Sequence, residues 1–148
     1  MEPLFLDTNI IIRYLTRDDP DKAARARALL KQAEAGIVTL VTSESIVVEA
    51  VQVLSSKVLY NQPRPTVASD LATILGLPKL KLANKRVCLR ALTVWANASS
   101  SVDFVDALSV AQMEQQKIAA IASYDQDFDR FPQIKRAEPP AAGDVQGT

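Results

Sequence analysis

The sequence predicts an α/β fold, a three-layer α/β/α sandwich around a central parallel sheet. Two observations carry this. Short apolar, β-branched segments alternate with helical ones along nearly the whole chain, the pattern of strands joined by crossover helices. The chain has 148 residues, is 48% hydrophobic and shows no internal repeat. That is the size of one domain, able to bury roughly two-thirds of its unfolded surface. The expected division is a domain over residues 1–137 and a flexible tail over 138–148.

The elements follow in order. Pro3 to Leu6 reads as a short buried strand ending at Asp7, and Thr8 to Leu15 as a helix. Asp18-Asp19-Pro20-Asp21 is turn chemistry whose acids suit the start of a helix from about Asp21 to Ala35, closed by Gly36. Ile37 to Val41 is β-branched, hence a strand. Ser43 caps a helix from Glu44 to about Leu59. Asn61 to Pro65 breaks the chain before a short helix, Thr66 to Leu75. Lys79 to Ala83 is an edge strand blunted by lysines. Asn84 caps a helix to about Ala98, and Asp103 opens another to about Lys117. Ile118 to Ala122 is a strand, Tyr124 to Arg130 a polar loop, and Ile134 to Ala137 a last strand. The Pro-rich segment after Glu138 is the tail.

Composition excludes several chemistries. There is no histidine and a single cysteine, Cys88. Ser-His-Asp and Cys-His catalysis and the usual zinc sites are therefore out, as is an internal disulfide. Chemistry must run on carboxylates, hydroxyls, Lys or Arg. Carboxylate-only sites favour hard cations such as Mg²⁺ or Mn²⁺. No apolar run approaches the ~20 residues of a membrane span, and Met1 to Leu4 carries no basic leader, so a cytoplasmic protein with no membrane partner is expected. Net charge is zero, with 17 basic and 17 acidic residues. The basic residues are unevenly placed. Leu71 to Val102 contains Lys79, Lys81, Lys85, Arg86 and Arg90 but no acid, and Lys22, Arg25, Arg27 and Lys31 share one helix. Either group can track phosphates or merely solvate a helix face. Cys88 reads as a buried structural thiol, and Trp95 as core or dimer packing.

The acids are the candidate site. Asp7 ends the first strand and Asp125 follows the Ile118–Ala122 strand, so both reach one rim if those strands are parallel neighbours. Taken singly, Asp7 also reads as an N-cap and Asp125 as a loop acid. Glu49 shares a helix side with Ile46 and Val53, where an acid is costly unless compensated. Asp103 and Asp106 stand i, i+3 at a helix start, with Asp103 the cap and Asp106 the inward-pointing acid. Gathered together, Asp7, Glu49, Asp106 and Asp125 would repel one another unless divalent cations neutralised them.

The stretches Leu6-Asp7-Thr8-Asn9 through Leu15, Ser43-Glu44 through Val51, Asp103 to Leu108 and Tyr124 to Phe128 resemble, in order and spacing, PIN-domain ribonucleases in the style of VapC toxins. The likeness runs from about Leu4 to Arg136. It implies Mg²⁺- or Mn²⁺-dependent endonucleolytic hydrolysis of RNA, a homodimer, and a cognate antitoxin. By motif position Asp7, Glu49, Asp106 and Asp125 match the family's acidic quartet and Asp127 an auxiliary metal ligand. Asn9, Asp103 and Ser123 match polar helpers, with Ser123 standing where relatives often carry Thr. Arg13, Lys85 and Arg86 are candidate RNA contacts. Arg13 alternatively pairs with the Asp18-Asp19 turn. A non-catalytic PIN-fold binding module is the alternative function. A phosphoacceptor domain fits less well, because Asp7 lacks an acidic partner and Ala122-Ser123-Tyr124-Asp125 offers no Lys after the strand.

Overall fold

The structure, a computed structural model, describes residues 2–144. Met1 and residues 145–148, the last part of the expected tail, lie outside the described residues. The chain forms strands β1 (Leu4–Phe5), β2 (Leu40–Thr42), β3 (Leu80–Leu82), β4 (Ala120–Ala122) and β5 (Lys135–Ala137). The helices are α1 (Thr8–Thr16), α2 (Pro20–Glu34), α3 (Glu44–Ser55), α4 (Arg64–Leu75), α5 (Lys85–Asn97) and α6 (Phe104–Gln116). A 3-10 turn, Gln126–Arg130, replaces the polar loop expected after β4. Among the described residues no helix is long and apolar enough to cross a membrane.

Every strand pair is parallel, as the alternation of elements requires. The central strand of the main sheet is β2: Leu40 stands opposite Leu4 on one side and Leu80 on the other. β3 is an edge, as its lysines predict. The sheet comes in two pieces, however. β1, β2 and β3 form one, and β4 pairs with β5 in the other. The strands bearing Asp7 and Asp125 are thus not hydrogen-bonded neighbours. Both of these strands are short. β1 has two residues, with Leu4 49% and Phe5 62% exposed. β4 offers two exposed alanines around Ile121, and alanine removes little apolar area from water when a sheet closes.

Side-chain caps open α2, α3 and α6. Asp19 accepts from the Lys22 N–H and Pro20 opens α2. Gly36, at φ +77, takes the left-handed conformation that turns the chain out of α2. Ser43 caps α3, which stops at Ser55, one turn before the expected end. Asn84 sits before α5 without a side-chain cap, in the left-handed region that Asn tolerates.

The main core lies between the first sheet and its helices and includes Leu6, Leu40, Leu54, Leu71 and Leu80. A smaller core of Val110, Met113, Phe128 and Ile134 sits under the second sheet. α5 and α6 pack against each other more extensively than any other pair. Trp95 is buried there, its ring edge-to-face with Phe104 at 6.1 Å and covered by the Arg64 guanidinium at 4.9 Å. The indole is core, with no face left for a base. Leu54 is fully buried in α3. Leu54→Ala should lower the unfolding free energy by about 2–5 kcal/mol. Urea melts check this, and an unchanged midpoint would show that the α3 face is not packed as described.

Candidate active site

Asp7 is the residue at which β1 becomes α1. Its backbone is extended, at φ −88 and ψ 160, in the N-cap position, yet its side chain makes no capping bond. The carboxylate is exposed and not consumed by the helix end. The end of β1 is fixed from β2, where the buried Thr42 hydroxyl donates to the Leu6 carbonyl at 3.1 Å. Thr8 beside it is 5% exposed and its hydroxyl has no partner among the described residues. Asn9 is exposed, one turn before Arg13. Arg13 does pair with the turn, donating to Asp18 at 3.0 Å. Asp18 also accepts from Tyr60 at 2.7 Å and from Thr16 at 3.0 Å.

Glu49 corrects an expectation. The buried stripe of α3 is Val47, Ala50, Val51 and Leu54. Glu49 falls on the opposite, exposed side with Ser45 and Gln52. Ile46 and Val53 are only half-buried flanks, so the helix is rotated from the face inferred from them. Glu49 therefore pays no burial cost.

At the α6 start both readings of the acid pair hold. Asp103 accepts from the Asp106 N–H at 2.8 Å, and Asp106 accepts from the Asp103 N–H at 3.3 Å, a complete capping box. Asp106 is the half-buried one. Burial first, then the Asp103 and Asp125 charges, hold its carboxyl above the usual range. Asp106 and Asp125 are thus electrostatic neighbours across α6 and the turn after β4. Asp125 in turn caps the 3-10 helix, accepting from the Asp127 N–H at 2.9 Å, while Ser123 accepts from the Asp125 N–H at 2.9 Å. Asp127 is already engaged: its Oδ1 takes the Ser101 hydroxyl at 2.8 Å and the Arg130 Nε at 3.1 Å, which hold its pKa low.

The sequence matches the PIN-domain family profile over residues 4–134. The chain belongs to the PIN-domain family. No curated protein matches it. PIN domains are generally nucleases that use divalent metal ions, so this chain has a nuclease fold. The donor chemistry fits such ions, since all the candidate ligands are carboxylates, the hard oxygen donors that Mg²⁺ and Mn²⁺ prefer. The spacing does not. Among the described residues no group of three or more acidic or Cys side chains stands close enough to hold a metal ion. The charges of Asp103 and Asp125 both bear on Asp106.

The basic candidates divide as well. Lys85 donates its ammonium to the Leu80 carbonyl at 2.6 Å, a structural tie. Arg90 forks onto Glu114 at 3.0 and 3.2 Å. Arg86 stays exposed. Sequence reasoning missed Thr42 and Arg64. The latter donates to the Trp95, Ser99 and Ser100 carbonyls and so holds the loop before Asp103. Neither carries a sequence signal, because its partners are remote in the chain.

Cys88 is fully buried, and its thiol is pushed up to about 11 by burial and then by Glu44. It should resist thiol reagents at neutral pH until the protein unfolds; rapid native-state labelling would contradict this. Asp106 gives a second expectation. The folded state holds its proton more tightly than the unfolded chain, so stability falls as pH rises through its titration. Asp106→Asn removes that penalty and keeps an acceptor for the Asp103 N–H. In chelator the variant should melt higher than the wild type at neutral pH, and the gain should vanish where the carboxyl is protonated. A lower melting temperature at neutral pH would refute the assigned strain.

Proposed function

We propose that this PIN-domain protein is a Mg²⁺- or Mn²⁺-dependent endoribonuclease, the toxin of a toxin–antitoxin pair, acting as a homodimer and restrained by a cognate antitoxin. The observation that supports the reading is that Asp7, Glu49, Asp106 and Asp125 match the family's quartet by motif position, and that burial and the charges of Asp103 and Asp125 raise the Asp106 carboxyl. Acids concentrated at a cost to stability are a mark of functional sites. The lack of histidine accords with hydrolysis that needs no imidazole base.

In this reading Asp7, Glu49, Asp106 and Asp125 are the ligands and Asp127 an auxiliary one. A bound divalent ion would supply charge neutralisation and an activated water. Asp103 sets the Asp106 rotamer through the capping box, and Ser123 fixes the backbone that presents Asp125. Asn9 lies next along α1 from Asp7. The acids are not assembled in the conformation described. The reaction adds water to phosphorus and breaks one P–O bond of the RNA backbone.

Incubation of the full chain with single-stranded RNA and Mn²⁺ should give internal cleavage that stops with chelator. Asp7→Asn and Asp106→Asn should each reduce the rate on the order of a hundredfold or more, with the fold retained by circular dichroism. RNA binding without cleavage by the wild type would favour the binding-module alternative. Full activity in either variant would remove that residue from the site.

A further inference from the structure

α1 and α2 enclose a groove of about 460 Å³ whose lining is cationic above an apolar floor. Arg13 comes from α1, Lys22 and Arg25 from α2, and Ile10 and Leu29 lie beneath. Asn9, two residues from Asp7, is also in the lining. We propose that this groove binds the phosphodiester backbone of the RNA strand next to the cleaved bond.

Three features lead there. First, the charges are available. Lys22 and Arg25 are exposed and make no ion pair among the described residues. Asp21 stands one turn from Arg25 without pairing to it. Arg13 is pre-oriented, since Asp18, itself held by Thr16 and Tyr60, takes one guanidinium nitrogen and leaves the other donors for a ligand. A planar guanidinium held in one rotamer is suited to phosphate oxygens. Second, the groove continues the acid site. α1 starts at the residue after Asp7, and Arg13 lies about 6 Å further along the helix axis than Asn9. A strand with a phosphate near Asp7 therefore runs on past Asn9 to the cations. Third, the fold divides what the sequence grouped. Of the four basic residues of α2, Lys22 and Arg25 face this groove. Arg27 and Lys31 line a different cleft with Tyr14, Glu34 and Thr73. Only one face of α2 is thus placed to continue the strand, and the other supplies a control with the same charge.

The inference rests on the nuclease reading above, and the two can fail separately. Binding of a labelled single-stranded RNA to the full chain is measured in chelator, over a range of salt, by fluorescence anisotropy. K22E/R25E should weaken binding on the order of tenfold and flatten the salt dependence by roughly 0.7 in log–log slope per phosphate lost. The neutral K22Q/R25Q pair should give a smaller loss of the same kind. R27E/K31E, an equal change in net charge on the same helix, should bind as the wild type does. Equal weakening by both reversed pairs would mean bulk charge alone and overturn the groove. So would wild-type affinity in K22E/R25E, while RNA cleavage by the wild type would leave the nuclease reading standing. A wild type that neither binds nor cleaves RNA would sink both. RNA binding unaffected by K22E/R25E together with loss of polyglutamate binding would assign the groove to an acidic peptide instead.

Discussion

The main sheet depends on β2. β1 and β3 are each hydrogen-bonded to it and not to each other, and Leu40, fully buried at its start, pairs in register with Leu4 and Leu80. The position of Asp7 follows from that register. The Thr42 hydroxyl ties the Leu6 carbonyl, just past β1, to the end of β2, so the chain leaves the sheet at a fixed point and enters α1 two residues later. A slip of one residue would send Leu6 out of the core and Asp7 toward it. The burial of a few leucines thus decides where a carboxylate meets solvent.

The second half of the molecule is held differently. Asp103 and Asp106 are placed by the α5–α6 interface, where Trp95 and Phe104 meet and Arg64 closes over the indole. Arg64 spends its remaining donors on the carbonyls before Asp103, which turns a serine-rich loop into a defined entry to α6. β4 and β5 then rest on the small core of Val110, Met113, Phe128 and Ile134. No strand ladder joins the two sheets, but the main core runs through both halves, with α5 and α6 packed against α4 and α3.

Charge in this protein is sorted by whether structure consumes it. Lys85, Arg90 and Arg136 are committed to carbonyls or carboxylates within the fold. Asp127 is likewise taken up by Ser101 and Arg130. Asp7 and Glu49 are exposed acids without a hydrogen-bonded or ionic partner among the described residues, and Lys22 and Arg25 are their cationic counterparts. A net charge of zero conceals this division, because it counts the consumed and the available alike.

The sequence by itself determined the order and kind of nearly every element, since periodicity and capping act within a few residues: Asp103 as cap with Asp106 at the third helical position, Gly36 after α2, the lysine-marked edge strand, and the family itself. Contacts remote in the chain were decided only by the tertiary structure. The apolar residues of α3 admitted two rotations, and packing chose the one that exposes Glu49. The division of the sheet between β1 and β4, the separation of Lys22 and Arg25 from Arg27 and Lys31, and the use of Lys85 as a tie to Leu80 each depend on what lies across a gap in space. Local sequence sets the hydrogen bonds a residue makes with its near neighbours; which side chains share a volume is set by how whole elements bury their area against one another.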